Sequence, residues 1–194
     1  MSKGRLEAFS DGVIAIIITI MVLELRIPHG INFTSLIPLL PIFLSYILSF
    51  VFLGIYWNNH HHLFQVVNKV NGRILWANLH LLFWLSLTPF VTGWMGENNF
   101  ASLPVAAYGI VLLFAAIAYF ILTRTLLSHH AKDSILAIAL GRDFKGKISI
   151  VLYVAAIILS YFNSLLACSL YVLVAIMWLI PDRRIEKVIE KQMK

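Results

Sequence analysis

The sequence predicts an all-α integral membrane protein with six transmembrane helices. Of its 194 residues, 60% are hydrophobic and only 12% are charged, and the mean hydropathy is +0.87. A soluble domain of this length has too small an interior to bury so much apolar surface, so much of that surface must face lipid. The apolar runs reach about 20 residues, the length a helix needs to cross roughly 30 Å of hydrocarbon. Sustained alternation of apolar and polar residues, typical of membrane β-barrels, is missing.

Six apolar runs define the predicted spans, and they lie in a single domain of residues 1–194. The last two runs are short and are joined only by Asn163 and Ser164. Together they cover about 33 residues, too many for one span, so two helices with a tight turn are predicted. The six spans are predicted at residues 6–27, 36–57, 74–95, 103–126, 148–162 and 165–180.

The placement of the basic residues predicts the topology. The net charge is +6, which could indicate nucleic-acid binding. With six spans and the amino terminus inside, however, every Lys and Arg except Arg26 falls on the inner side. This bias predicts a multi-pass protein of the plasma membrane with both termini in the cytoplasm, surrounded by membrane lipids and without a nucleic-acid partner. The tail, residues 182–194, is either a short amphipathic helix along the inner interface or a solvated stub.

Polar residues near the membrane need a reason, because charged groups in hydrocarbon cost several kcal/mol. Ser10 and Asp11 lie near the start of the first span, where they either cap free amide groups or join a buried polar cluster that holds the helices together. An Asp11–histidine contact between the first two spans is sterically reasonable. The candidate partners, all near the same end of the second and third spans, are His60, His61, His62, Asn78 and His80.

A metal centre, a cofactor and an enzyme activity are not predicted. Consecutive histidines on a helix point about 100° apart, so the three in a row cannot comfortably hold one metal ion. Cys168 is the single cysteine, which excludes an intrachain disulfide and a cysteine-based metal site. Residue spacing also offers no pairing of a nucleophile with a base.

An apolar stripe runs along the first span. Its members recur every three or four residues, as the residues on one face of a helix do. For a lone helix such a stripe indicates a packing or lipid-facing surface. The stripe consists of Val13, Ile16, Ile20, Leu23 and Ile27.

The segment Arg5-x-x-x-Phe9-Ser10-Asp11 resembles the signature of the transmembrane protein 175 family, which comprises the endolysosomal potassium channels and their prokaryotic relatives. The likeness continues through residues 12–25, residues 60–67 and two stretches of the third span, residues 75–79 and 87–90. It covers the first half of the chain closely, and the second half only by hydropathy and number of spans.

The resemblance implies a single-repeat prokaryotic member that assembles as a homotetramer, with the first helix of each subunit lining a central pore. It implies passive, potassium-selective cation conduction, with potassium ions as the permeating partner and no cofactor. The pore constriction is then assigned to Ile16, with Thr19, Ile20 and Leu23 further along the same helix. The motif residues Arg5, Phe9, Ser10 and Asp11 would have a structural or gating role.

The filter sequence TVGYG is absent, so rings of backbone carbonyls cannot select ions by that route. A hydrophobic constriction that excludes water is the expected alternative. The competing function is a proton-conducting or proton-coupled small secondary transporter, in which Asp11 and His60–His62 form a titratable relay. Against it, the helices show no Gly/Pro interruptions at matching positions, which a substrate site at the membrane midplane requires.

Overall fold

A computed structural model describes residues 2–65, 67, 69–129 and 144–179. Apart from connecting segments and two short 3-10 turns, these residues form α-helices. The predicted tail helix, residues 182–194, lies outside the described residues. The helices are α1 (Lys3–Leu23), α2 (Leu40–Gln65), α3 (Gly72–Ser86), α4 (Thr88–Glu97), α5 (Ser102–His129), α6 (Phe144–Ser160) and α7 (Ser164–Leu179).

Four segments of the described chain are long and apolar enough to cross a membrane, namely Lys3–Leu23, Phe33–Gln65, Gly72–Glu97 and Ser102–Ser128. Helices α6 and α7 are shorter, with 17 and 16 residues. Between them the side-chain oxygen of Asn163 accepts hydrogen bonds from the first backbone amides of α7, so it caps that helix.

The third apolar segment is broken, where the sequence predicted one continuous span at residues 74–95. Helix α3 ends at Ser86 and α4 begins at Thr88, with Leu87 between them. Pro89 lies in the first turn of α4, where its missing amide hydrogen costs no hydrogen bond within α4. A proline further inside a continuous helix would remove a bond to the preceding turn, which explains the break.

Helix α2 begins later and ends later than the span predicted at residues 36–57. It runs from Leu40 to Gln65, so His60, His61 and His62 lie inside its last turns. Hydropathy marks where a chain enters hydrocarbon, whereas a helix continues for as long as its backbone hydrogen bonds do. The histidines are therefore held on a helix and not in a loop.

Side chains from helices distant in sequence meet in two cores. The first combines residues of α1, α2, α3 and α5, and the second combines residues of α2, α4, α5, α6 and α7. Helix α1 packs against α2, α3 and α4. In the second core α5 and α7 approach closely at Gly109, where an added Cβ would lie 2.0 Å from the Tyr171 hydroxyl oxygen.

Polar contacts join the helix ends at opposite ends of the bundle. At one end, the Lys3 ammonium donates a hydrogen bond to the carbonyl of Gln65, 3.3 Å away, and links the start of α1 to the end of α2. At the other end, Arg26 forms an ion pair with Glu97, linking the segment after α1 to the end of α4. These contacts define α1 as antiparallel to α2 and parallel to the α3–α4 segment.

Candidate functional site

Helix α1 has two different faces. One face is buried against its neighbours and consists of Leu6, Ser10, Ile14, Ile17 and Met21. The opposite face, here called the outward face, consists of Ile16, Thr19, Ile20 and Leu23. Its apolar members are 58%, 42% and 80% exposed, respectively, in the single chain. Spacings of three and four residues place all four on one side of the helix, along about 10 Å of its length.

A buried polar cluster of Ser10, His60 and Asn78 joins α1, α2 and α3. The amide nitrogen of Asn78 donates to the Ser10 hydroxyl over 2.9 Å, and Nε2 of His60 lies 2.8 Å from the Asn78 side-chain oxygen. All three side chains are almost completely buried. Because an unpaired polar group in such a place costs about 1–3 kcal/mol, the three residues depend on one another.

The hydrogen-bond pattern of the polar cluster also defines which ring nitrogen of His60 carries a proton. Ser10 donates its own proton to the carbonyl of Leu6 over 2.9 Å, so its oxygen accepts from the Asn78 amide. The Asn78 oxygen is then left to accept, and Nε2 of His60 must be the donor. The chain of bonds therefore runs from α2 through α3 into the backbone of α1.

Asp11 has a different partner from the one expected. The sequence predicted a histidine or Asn78, but the indole of Trp57 donates to the Asp11 carboxylate over 3.0 Å. Asp11 follows Ser10 by about 100° around the helix, which turns it out of the buried cluster and toward α2 at an exposed position. Trp57 was missed, although it precedes His61 by four residues and stacks on its ring at 6.1 Å.

The other candidate partners lie outside the polar cluster. His61 lies 2.9 Å from the Gln65 side-chain amide nitrogen, and the His62 ring lies 3.5 Å from the Gln65 side-chain oxygen. His80 accepts a hydrogen bond from the Trp84 indole over 3.0 Å, one turn along α3. Of the five candidates, only Asn78 contacts Ser10 directly, and only His60 is linked to Ser10 through Asn78. The expectation that His80 joins the cluster was wrong, since Asn78 and His80 point about 160° apart on a helix.

The first two residues of the motif, Arg5 and Phe9, are exposed in the single chain. They share the side of α1 on which Ile16 lies, because their separations from it are close to whole helical turns. Arg5, Phe9 and the outward face therefore form one continuous exposed strip. In the described residues, no group of three His, Cys, Asp or Glu side chains is placed to hold a metal ion.

Comparison with known proteins finds a family model, "Endosomal/lysosomal potassium channel TMEM175", that matches residues 5–89. A potassium channel of Chryseobacterium sp. strain P1-3 is 60% identical over 187 residues, covering 96% of this chain and 97% of the relative. The endosomal/lysosomal proton channel TMEM175 of Gallus gallus is 31% identical over 147 residues, covering 66% of this chain and 29% of that protein.

Among solved structures, the crystal structure of a lysosomal potassium-selective channel TMEM175 homologue from Chamaesiphon minutus is similar. Its TM-score is 0.78 at 31% sequence identity, with 93% of this chain and 97% of the other covered. The likeness therefore includes α5, α6 and α7, beyond the residues that the family model matches.

Proposed function

This chain belongs to the TMEM175 channel family, and on that premise we propose that it is one subunit of a potassium-selective cation channel. Residues 1–194 would act as a single channel unit that conducts passively, down the electrochemical gradient. Four copies would surround a central pore lined by α1. The family is one of channels and not of enzymes, so the function is conduction and not chemical conversion.

The observation that carries the proposal is the outward face of α1. The packing of α1 against α2, α3 and α4 leaves Ile16, Ile20 and Leu23 exposed in the single chain, while Ile17, one residue from Ile16, is 4% exposed. An apolar strip beside the polar Thr19 suits a helix that meets its symmetry copies around an axis. The polar cluster supports this role, because it holds the start of α1 at a defined rotation against α2 and α3.

A ring of four Ile16 side chains would form the constriction. An apolar ring of this kind controls conduction by excluding water, so an ion must shed part of its hydration shell to pass. Potassium gives up water at a lower free-energy cost than sodium, which favours potassium at the ring. Isoleucine is stiff at χ1, so the aperture would depend on the position of the α1 backbone more than on rotamer changes.

Thr19 would supply a polar position next to the constriction. Its hydroxyl donates to the carbonyl of Ile16 over 2.8 Å, so the proton points along the helix. The oxygen lone pairs are then available to a partly dehydrated cation. Ile20 and Leu23 would line the pore about one and two turns beyond Ile16.

For the orientation, we propose a plasma-membrane protein with both termini in the cytoplasm. The support is the charge distribution, since every basic residue but Arg26 falls on the side of the amino terminus under a six-span topology. Arg26 and its partner Glu97 would then lie on the outer side, together with the end of α1.

Flux measurements on purified protein in liposomes test the proposal. Reversal potentials are measured under opposed potassium and sodium gradients at constant pH, with empty liposomes as the control. We expect a reversal potential close to the potassium equilibrium value. A reversal potential that does not respond to the potassium gradient would refute the channel assignment.

Proton conduction is the second candidate, because vertebrate relatives at about 30% identity bear the name proton channel. Asp11 and the histidines His60, His61 and His62 would be its titratable groups. A pH gradient imposed at equal potassium on both sides separates the two functions. A current that follows the pH gradient alone would favour the proton channel, and a proton current coupled to uptake of a solute would favour a transporter.

A further inference from the structure

A cleft lies between α2, α5, α6 and α7, away from α1. Apolar and aromatic side chains form most of its wall, including Phe52, Ile55 and Phe120. The neighbouring positions Ile121 and Val151 are exposed apolar residues on α5 and α6. The cleft is therefore flanked by exposed apolar surface of the single chain.

One end of the cleft is polar. Asn59 and the hydroxyl of Ser149 belong to its wall, and the Trp178 indole donates to that hydroxyl over 2.8 Å. Tyrosine contributes here as well, because the Tyr119 hydroxyl lies 3.3 Å from the carbonyl of Asn59. A cleft that is apolar along its length and polar at one end suits an amphiphile, with its tail inside and its head at the polar end.

Two cations lie over aromatic rings of the same wall. The Lys145 ammonium is 5.9 Å from the ring centroid of Trp178, and the Arg124 guanidinium is 5.1 Å from that of Phe120. Both rings line the cleft. Positive charge at the polar end of the cleft complements a negatively charged headgroup. Trp178 also suits this end, because tryptophan is enriched where proteins meet the membrane–water interface.

The position of this polar end along the bundle indicates which leaflet it meets. Asn59 lies near the end of α2, Ser149 near the start of α6 and Trp178 near the end of α7. The end of α2 is the end where Lys3 and Gln65 meet, which is cytoplasmic in the proposed orientation. On the cytoplasmic side of a membrane, basic residues in pockets between helices recognise the headgroups of anionic lipids.

We propose that this cleft binds an anionic phospholipid of the inner leaflet. One acyl chain lies between α2, α5 and α6, and the phosphate lies beside Lys145 and Arg124. The lipid would contact the peripheral helices and not the pore helix, so it is a site separate from conduction. The inference rests on the proposed membrane orientation but not on which ion the channel conducts.

Fluorescence quenching in vesicles tests the proposal with the full-length protein. Brominated phosphatidylglycerol or brominated phosphatidylcholine is added in increasing mole fraction to phosphatidylcholine vesicles. The contribution of Trp178 is the part of the quenching that Trp178→Phe removes. We expect half-maximal quenching of Trp178 at a fraction of the anionic lipid that is at least fivefold lower, since each basic residue near the surface contributes about a factor of five.

Charge variants assign the preference to the cleft. Lys145→Gln is expected to reduce the preference for the anionic lipid about fivefold. Lys147→Gln removes the same charge from an exposed position two residues along α6 and is expected to keep it. Equal quenching by the two lipids, quenching of Trp178 by neither, or the same preference in wild type and Lys145→Gln would overturn the proposal.

A second measurement does not depend on a folded Trp178 variant. The midpoint of thermal unfolding is recorded in detergent with added dioleoylphosphatidylglycerol or dioleoylphosphatidylcholine. We expect the anionic lipid to stabilise the wild type, and to stabilise Ala116→Leu much less, because Ala116 lines the cleft and the larger side chain fills it. Equal stabilisation of both proteins would count against the site. Neither measurement reads ion flux, so failure here leaves the channel proposal intact, and failure of conduction leaves the lipid site testable.

Discussion

The two faces of α1 are both rich in isoleucine, yet they differ in what they contact. Ile17 is 4% exposed and packs in the core formed with α2, α3 and α5, whereas Ile16 is 58% exposed in the single chain. The buried face also holds Ser10 in a chain of hydrogen bonds, and the outward face has no comparable contact among the described residues. Chemically similar residues one position apart should therefore respond very differently to the same substitution.

The largest effect is expected for Ile17→Asn. The change removes a buried isoleucine, which costs about 2–5 kcal/mol, and buries an amide for which the surrounding apolar side chains offer no hydrogen-bond partner. We expect loss of most of the folded, monodisperse protein. The yield of monodisperse protein on size-exclusion chromatography and the midpoint of thermal unfolding measure this loss.

Ile16→Asn is the matched substitution on the outward face. We expect near-normal yield, a higher current and a weaker preference for potassium over sodium, because an amide lets water into the proposed constriction. Paired flux in liposomes with equal protein content measures it. If Ile17→Asn changed selectivity while Ile16→Asn changed nothing, the pore side would be rotated by about one residue.

The polar cluster gives the second largest effect. Asn78→Leu has a similar size but leaves His60 without its acceptor and Ser10 without its donor, so we expect a loss of about 2–4 kcal/mol in unfolding free energy. Ser10→Ala should cost less, because it leaves only the Asn78 amide nitrogen without its partner. Thermal or denaturant unfolding in detergent measures both changes.

A double-mutant cycle of Ser10→Ala and Asn78→Ala sharpens this prediction. Since the two side chains share one hydrogen bond, the double variant should be less destabilised than the sum of the single variants by about 1 kcal/mol. Strict additivity would show that the contact between α1 and α3 contributes nothing to stability.

A smaller effect is expected for Asp11→Ala. The change removes one hydrogen bond, to Trp57, at an exposed position, so the expected cost is about 1 kcal/mol. The main effect should be a lower yield of tetramer, with a smaller change in ion selectivity. Trp57→Phe should reproduce the lower yield, because it removes the same hydrogen bond. Normal yield with altered ion preference would instead identify Asp11 as part of an ion or proton pathway.

Thr19→Val should have the smallest effect. The two side chains have the same shape, and Thr19 is exposed in the single chain, so stability should hardly change. Potassium current should fall by a few-fold at most, because a cation would lose one transient oxygen contact. Single-channel recording measures it, with Thr125→Val, near the carboxyl-terminal end of α5, as the control. A current that vanishes would show that Thr19 is the principal ion ligand.

Sequence patterns predicted the local features that depend on neighbouring residues. Long apolar runs predicted helices, and Asn163 was placed correctly in the turn between the last two. The contact of Ser10 with Asn78 was anticipated, because both residues lie near the same end of their spans. The contact of Trp57 with Asp11 was not anticipated, because the indole reaches Asp11 only at the rotation that α1 and α2 adopt. The break at Leu87 was also missed, although Pro89 was the available signal.

By itself the sequence determined the class of the protein, since composition and run length decide whether a chain can leave water for lipid. It also determined the family resemblance, through the motif from Arg5 to Asp11. Only the tertiary structure decided which side of α1 is buried. Residues 13–23 are apolar nearly all around the helix, so periodicity could not distinguish Ile16 from Ile17. The choice came from the packing of α1 against α2, α3 and α4, and from the Ser10–Asn78–His60 hydrogen bonds that hold the helix at that rotation.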